Sequence, residues 1–324
     1  MKTKKPDIFL GITLGMLVLA VILCLVILLV QGSGSSPAEK PADSDSTQST
    51  VSTDNPVDTG STGSTGDTAS TDAPAPVELN EIDAAGLKKA LDEQLSGLSS
   101  EWQVTVIDPA KGTKVSSTRT CKDDDWMTAN KLPTLFIMGA AFQQVADGKL
   151  TEDQILADVQ AMVVRGDTEA ADRLTELIGG GNADNGRTLV KNFASDNGLK
   201  LGFNRALSAT AGKKNYATAQ QNAALLDLIC RGELVSKAAS QQMLEILCTP
   251  RETDEIDPML TGENVSYGFV NDVEDKVCVC SVGVVRLPNR SFVIGIVCNG
   301  PVTVKGAEKK VGELIAATQP FFAD

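Results

Sequence analysis

The distribution of apolar and polar residues divides the chain into three segments. Residues 8–30 form an apolar run without a charged residue, and about 20 such residues suffice to cross a bilayer. Residues 31–78 consist almost entirely of Ser, Thr, Gly, Asp, Pro and Ala, so they bury too little apolar surface to fold and are predicted to be a disordered linker. From residue 79 onwards apolar positions recur at helix and strand spacings, which predicts a globular domain over residues 79–324.

The globular segment is predicted to be an α+β domain. Helices are predicted at about 80–98, 132–145, 151–164, 168–178, 186–197, 218–231, 236–248 and 306–318. Strands are predicted at about 102–107, 113–120, 265–273, 276–286 and 291–299. Two strands, a helical block, three strands and a final helix indicate one antiparallel five-stranded sheet, whose first hairpin joins the last three strands. The helical block is expected to pack beside this sheet, with a cleft between the two parts.

The segment 132–145 is the most hydrophobic of the predicted helices. Nearly every residue in it is apolar or small, which indicates a helix buried on all sides. Thr128 and Lys131 precede it by a few residues and are three apart, so we expect them on one face of its first turn, at the cleft. A hydroxyl and an amine placed there can form a catalytic pair. The alternative is that Thr128 caps the helix and Lys131 is solvated.

Composition and charge exclude several classes of function. The net charge of −13 argues against nucleic-acid binding, which needs a basic surface. Histidine is absent, which excludes Ser-His-Asp and Cys-His nucleophile systems and the two-histidine zinc motif. The 7 cysteines show no CxxC spacing, so neither a metal nor another cofactor is predicted. Cys278 and Cys280 should face the same side of a strand, as free thiols or in disulfides.

The flanks of the apolar run predict a membrane anchor. Three lysines precede it, and the next basic residue is Lys40, so the positive-inside rule places the N-terminus in the cytoplasm and the remainder outside. A cleaved signal peptide is the alternative, but the run is long and its C-terminal flank is a poor cleavage site. Residues 1–30 are therefore predicted to be a cytoplasmic stub and a single-pass anchor in the cell membrane, with the globular domain extracytoplasmic.

Several sequence motifs carry a family resemblance. They lie at 131–133, 140–150, 172–180, 215–219 and 232–236, followed by the three predicted strands. With these motifs, residues 80–320 resemble the serine β-lactamase and penicillin-recognising family, class A in particular. The resemblance implies a β-lactamase-like fold. It also implies acyl chemistry based on S-x-x-K, S-D-N and K-T-G, together with a glutamate for deacylation.

The first two catalytic motifs are altered in this chain. Thr128 and Lys131 occupy the positions of S-x-x-K, and the extra methyl group of Thr stiffens and crowds the nucleophile. Lys131 could act as the base if burial kept its amine neutral. The second motif falls at Gly166-Asp167-Thr168, where the glycine lacks the hydroxyl that relays a proton. Asp167 keeps the acidic position and is a candidate catalytic residue, although Asp at a helix entrance is also an ordinary cap.

The third motif and the glutamate are also missing. Ser266, Tyr267 and Gly268 stand where K-T-G is expected, and the resemblance assigns them to substrate binding. The loop 201–216, where the resemblance places the glutamate, contains no Asp or Glu. A literal Ser195-Asp-Asn197 lies at a predicted helix end, too late in the order of elements, and is interpreted as chance.

The stretch 123–125 is a run of three aspartates ahead of the buried helix. Their charges would repel the carboxylate of a penicillin or of a peptidoglycan stem peptide. A solvated loop that favours the positive end of the helix is the simpler interpretation.

Three functional hypotheses follow. The first is a membrane-anchored, extracytoplasmic β-lactamase-like domain that has lost hydrolysis and acts in binding or cell-wall association. The second is an active hydrolase of β-lactams or peptidoglycan peptides, with Thr128 as nucleophile and Lys131 as base. The third is a purely structural exterior domain. The expected ligand class is a β-lactam or a peptidoglycan stem peptide. Because catalytic groups act as a unit, four altered positions favour the first hypothesis.

Overall fold

The computed structural model describes residues 79–129, 131–250, 265–274 and 278–323. The predicted anchor (8–30) and linker (31–78) lie outside the described residues. Within the described ranges, no helix has the length and apolar character needed to span a bilayer. On the strand 266–274 the side chains are described as far as Asn271.

One five-stranded antiparallel sheet forms the centre of the domain. Its strands are β1 (Glu101–Ile107), β2 (Lys114–Arg119), β5 (Ser266–Glu274), β6 (Cys278–Arg286) and β7 (Ser291–Asn299). They follow the order β2-β1-β7-β6-β5, with every neighbouring pair antiparallel. The predicted α+β architecture is confirmed, because the first hairpin adds to the last three strands through the pairing of β1 with β7.

Eight helices surround this sheet within the described residues. They are α1 (Ala84–Leu95), α2 (Pro133–Ala146), α3 (Glu152–Arg165), α4 (Thr168–Ile178), α5 (Ala183–Asp196), α6 (Ala219–Cys230), α7 (Lys237–Leu247) and α8 (Val304–Thr318). Their starts follow local capping chemistry. At α3, for example, the Thr151 N–H donates to Gln154 Oε1 at 2.9 Å, which is half of a capping box.

The sheet separates two hydrophobic cores. On one face α1 and α8 pack against strand residues such as Trp102, Val104 and Phe292. On the other face the helical block packs around α2, in which every residue from Pro133 to Phe142 is buried. Because helices cover both faces, the strands lack a solvated side, and β6 is buried along almost its whole length. This burial also includes polar residues of β1 that alternation alone would leave in water.

The start of α2 differs from the prediction. Thr128 belongs to the two-residue strand β3 (Met127–Thr128), which pairs with β4 (Tyr216–Ala217), and α2 begins only at Pro133. The prediction that Thr128 and Lys131 share the first helical turn is therefore wrong, and so is the alternative that Thr128 caps the helix. Proline explains the late start, because its ring presets a helical φ and its missing N–H is tolerated at the first position.

The described cysteines form no disulfides. Cys121, Cys230, Cys248, Cys278, Cys280 and Cys298 are all free thiols. Cys278 and Cys280 point to the same side of β6, as predicted, with their Sγ atoms 3.0 Å apart. Burial raises the pKa of the Cys230 and Cys298 thiols to about 12, as expected for small core residues.

Candidate functional site

A small cavity forms where α2, the α3–α4 connection and β5 meet. Its volume is about 30 Å³, which is room for one or two water molecules. Its lining consists of Lys131, Thr134, Met162, Val163, Gly166, Asp167, Thr168, Leu207, Val270 and Asn271. We call this space the Lys131 cavity. It brings together Lys131 and Asp167, two of the residues singled out from the sequence, at the seam between the helical block and the sheet.

Thr128 is fixed beside this seam by its main chain. Its N–H donates to Asn299 Oδ1 at 2.8 Å, and its carbonyl accepts from Asn299 Nδ2 at 3.1 Å. The Cys278 thiol donates to the same carbonyl at 2.8 Å. Asn299 thus acts as an extra strand partner for Thr128, and the residue is held by β7 and β6 rather than by the helix. Sequence reasoning missed Asn299, since no local pattern marks an end-of-strand amide that binds a residue so far away in the chain.

The second motif lies at the boundary between α3 and α4. Gly166 ends α3 in the left-handed conformation, with φ at 65°, which glycine adopts without the steric cost that other residues incur. Asp167 then caps α4, accepting from the N–H groups of Glu169 at 2.9 Å and Ala170 at 3.0 Å. The hydrogen bond from Ala170 N–H is the main reason that the pKa of Asp167 lies below its ordinary value. Its carboxylate therefore carries out the ordinary capping role weighed above.

The third motif is placed away from the Lys131 cavity. Ser266 is exposed, and the Tyr267 ring packs near Phe269, with centroids 6.2 Å apart. Gly268 lies against the end of α7, where an added Cβ would come within 2.3 Å of the Leu247 carbonyl oxygen. The side chains of β5 that do line the cavity are Val270 and Asn271.

Asn271 was not singled out from the sequence. Its Oδ1 atom accepts from the Ser281 hydroxyl at 2.6 Å. Two polar side chains of neighbouring strands are therefore paired beside the cavity. Only the register of β5 against β6, which places Asn271 opposite Ser281, identifies this pair.

The loop 201–216 contributes an apolar wall to the cavity. Asp172 on α4 fixes the loop by accepting from the N–H groups of Leu207 at 2.6 Å and Ser208 at 3.0 Å. Asn215 Oδ1 accepts from the N–H groups of Asn204 at 2.8 Å and Arg205 at 3.0 Å. The loop is therefore well ordered by hydrogen bonds, and it presents Leu207 to the cavity. This loop, which the structure describes in full, contains no carboxylate that could act as the general base for a water.

The literal Ser-Asp-Asn sequence at 195–197 has a structural role. Ser195 and Asp196 end α5, and Asn197 is its C-terminal cap, with its amide donating to the Phe193 carbonyl at 2.8 Å. This literal Ser-Asp-Asn is thus a helix end, as interpreted from its position. Within the described ranges, no group of three or more metal-ligating side chains is arranged to hold a metal ion.

Comparison with known proteins gives one family and one fold. A model of the β-lactamase enzyme family (Beta-lactamase2) matches residues 155–318. Among curated proteins nothing matches this chain. Solved structures match over most of the globular domain.

A β-lactamase from Sphaerobacter thermophilus is 17% identical, with a TM-score of 0.62, over 74% of this chain and 98% of its own. A β-lactamase from Xanthomonas campestris is 14% identical, with a TM-score of 0.61, over 74% and 98% of the two chains. A mutant of PBP-A, solved as an acyl-enzyme complex with penicillin G, is 16% identical, with a TM-score of 0.62, over 73% and 96%. At these identities the likeness establishes the fold and leaves the activity to the site itself.

Proposed function

The chain belongs to the β-lactamase enzyme family, and we propose that it is a catalytically impaired member, anchored in the membrane, whose extracytoplasmic domain binds rather than hydrolyses. The observation that carries the proposal is the Lys131 cavity. A pocket for a drug-sized ligand has a volume of about 300–1,000 Å³, whereas this cavity measures about 30 Å³. As far as the structure describes its lining, this cavity has room for water-sized molecules rather than for a β-lactam.

The chemistry of the lining supports the same proposal. Gly166 has no hydroxyl to relay a proton, and its φ of 65° disfavours a serine there. Asp167 is already used as a helix cap. The loop wall presents Leu207 instead of a carboxylate. Interacting catalytic groups depend on one another, so the joint loss leaves little rate enhancement.

The alternative is an active enzyme, with Thr128 as nucleophile and Lys131 as base, acting on β-lactams or peptidoglycan peptides. It draws on the family and on PBP-A, a structural relative that forms an acyl-enzyme with penicillin G. Against it stands the placement of Thr128 on β3, held through its main chain by Asn299. Lys131 lines the Lys131 cavity, whereas Thr128 is not among the residues that line it.

Covalent labelling with a fluorescent penicillin tests the proposal. We expect no label on the wild-type chain and none on Thr128→Ser, because the nucleophile is only one of several altered parts. Thr249→Ala, a change at an exposed threonine beyond α7, serves as the matched control. A label on the wild type that persists in Thr249→Ala and disappears in Thr128→Ala would establish the alternative. Hydrolysis of a chromogenic cephalosporin gives an independent readout.

The anchor is tested separately from the site. The run 8–30 contains no charged residue and follows three lysines, which supports a single-pass segment with the globular domain outside. We expect the full chain in the membrane fraction, released by detergent but not by high salt. In intact cells, an added protease should remove the domain. Release of the domain into the medium without protease would instead support a cleaved signal peptide.

A further inference from the structure

A second and larger cavity lies at the other end of the short strand β3. Its volume is about 300 Å³, at the lower end of the range for small-molecule sites. One wall is the loop 123–126, and the other is the start of α6 at 218–221, with Lys200 between them. We call it the Trp126 cavity. None of its lining residues lines the Lys131 cavity.

The indole of Trp126 is the unusual feature of this cavity. It is 48% exposed, and it is the large hydrophobic side chain that the described residues leave in solvent. Trp102, by contrast, is only 1% exposed. Tryptophan is highly buried on average, and an exposed indole beside a cavity offers a flat apolar face with a polar edge, as at many binding sites. The exposed ring therefore indicates a ligand that stacks.

The two walls of the cavity are fixed to one buried side chain. Gln103 on β1 is 1% exposed, and its amide donates to the carbonyls of Lys122 at 2.7 Å and Asp125 at 2.8 Å. Its Oε1 atom accepts from the Ala219 N–H at 3.1 Å. Gln103 thus uses both of its donors and its acceptor to hold the loop and the helix start together. A cavity whose walls are already in place loses less entropy when a ligand binds.

Lys200, which also lines the cavity, is hydrogen-bonded to the start of α6. The N–H of Lys200 donates to Gln221 Oε1 at 2.8 Å, and the N–H of Gln221 donates to the Thr218 hydroxyl at 3.1 Å. Asp125 closes the loop by accepting from the Lys122 N–H at 2.8 Å. The backbone segments that line the Trp126 cavity are therefore held by hydrogen bonds, unlike an ordinary exposed loop.

The polar side chains around the ring define the ligand chemistry. The carboxylates of Asp123 and Asp124 accept hydrogen bonds, and the amides of Gln220 and Gln221 both donate and accept. A pyranose ring matches this set, because it has an apolar C–H face that stacks on an indole and hydroxyl groups around its rim. We infer that the Trp126 cavity binds one sugar unit of a neutral glycan, stacked on Trp126 and hydrogen-bonded through Asp123, Asp124 and the α6 glutamines.

The charges that line the cavity argue against two other classes of ligand, anionic polymers and cationic peptides. Two carboxylates in the lining, on a chain of net charge −13, repel anionic polymers. A cationic peptide could stack on the indole and pair with the aspartates. However, Lys200 opposes a cation, and a single aromatic face does not form an aromatic cage. A neutral glycan carries no charge, so neither the two aspartates nor Lys200 repels it.

Calorimetric titration of the full chain tests the inference. The probe is the tetramer of β-1,4-linked N-acetylglucosamine, and the detergent is of the polyoxyethylene type, which carries neither sugar nor charge. We expect saturable binding by the wild type, a loss of at least about tenfold in affinity for Trp126→Ala, and a smaller loss for Trp126→Phe, which keeps an aromatic face. Glu93→Ala, on an exposed turn of α1, is the control and should bind like the wild type. Circular dichroism shows whether each variant is folded.

A second variant distinguishes the sugar from a cation. Asp123→Asn/Asp124→Asn removes two charges but keeps two oxygen acceptors, so affinity for the tetramer should change by less than about threefold and depend little on salt. Saturable binding of a trilysine peptide, lost in this double variant and at high salt, with no binding of the tetramer, would overturn the glycan assignment. Absence of tetramer binding to the folded wild type would overturn the site. So would an unchanged affinity in Trp126→Ala. Penicillin labelling of the wild type would leave the result at this cavity unaffected.

Discussion

Trp126 and Lys131 flank β3 in the sequence. The two cavities named after them differ in volume, in the polarity of their walls and in the exposure of their side chains. The first contains Lys131 and the second motif, where the family resemblance places part of its chemistry, yet it measures about 30 Å³ and has apolar side chains such as Leu207 and Val270 in its walls. The second contains none of the positions assigned to catalysis, yet it measures about 300 Å³ and has an exposed indole beside carboxylates and amides. Position in a motif and capacity to bind a ligand are therefore separate properties of this domain.

The difference has a structural cause. Around the Lys131 cavity, two polar side chains that could act on a ligand already serve the fold. Asp167 caps α4, and Asn271 pairs with Ser281. Around the Trp126 cavity, one buried residue, Gln103, fulfils the structural role for both walls. The aspartates, Trp126 and Lys200 of its lining are exposed to solvent, whereas Thr218 and Gln221 also take part in hydrogen bonds of the fold.

The largest effect is expected from Gln103→Ala. The change leaves two carbonyls and one N–H without their partner, at a cost of about 1–3 kcal/mol for each buried unpaired group, so we expect a loss of about 3 kcal/mol in the free energy of unfolding. Chemical denaturation followed by tryptophan fluorescence measures it. Gln241→Ala, at an exposed position on α7, is the control and should cost less than about 0.5 kcal/mol. Equal stability of the two variants would contradict the role given to Gln103.

Asn299→Ala should have the next largest effect. It removes the two hydrogen bonds that Asn299 makes to the main chain of Thr128, and we expect a loss of about 1–2 kcal/mol in the free energy of unfolding. Binding at the Trp126 cavity should fall little, because Gln103 holds that cavity independently. If Asn299→Ala instead weakened tetramer binding as strongly as Trp126→Ala, the two cavities would be coupled through β3, and their separation would be wrong.

Gly166→Ser restores the serine of the second motif at a cost in stability. At a φ of 65° a residue with a Cβ is strained by about 1 kcal/mol, so the melting temperature should fall. Gly166→Asn is the matched control and should cost less, because Asn tolerates the left-handed conformation better. We expect no penicillin label on Gly166→Ser/Thr128→Ser. A label there would mean that the Lys131 cavity opens more readily than its volume indicates.

The smallest effect concerns the pH dependence of stability. The N–H groups of Ala170 and Glu169 hold the pKa of Asp167 below its ordinary value. A carboxylate with a lowered folded-state pKa stabilises the protein above its ordinary pKa of about 3.9, and this contribution disappears as the pH falls through the folded-state value. The stability difference between wild type and Asp167→Asn should therefore shrink between about pH 6 and about pH 3. A difference that stayed constant over this range would show that the charge is not what matters.

Much of the fold could be predicted because it depends on local patterns. The alternation of β1, the apolar run of α2 and the capping box at Thr151 each specify an element from residues that are neighbours in the chain. The order of these elements then leaves few arrangements of an antiparallel sheet. The predicted helix at 168–178 even has the bounds of α4, because Asp167 and Gly179 mark its two ends.

The site was predicted less well because it depends on distant contacts. The spacing of Thr128 and Lys131 predicted a shared helical turn, but the pairing of Thr128 with Tyr216 and the proline at the start of α2 place it on a strand. The polar residues Gln103 and Thr105 of β1 are buried, and the start of α6 contacts Gln103. Capping and strand periodicity could not reveal either contact, because both join residues that are far apart in sequence.

By itself, the sequence determined which elements form, the family they belong to and the absence of histidine chemistry, because periodicity, capping and composition act through neighbouring residues. Only the tertiary structure decided which side chains meet. It limited the Lys131 cavity to about 30 Å³, buried Gln103 between two walls and left Trp126 in solvent. The physical reason is that burial and hydrogen-bond satisfaction belong to the packed domain as a whole, so the two cavities become distinguishable only once the sheet and its helices have assembled.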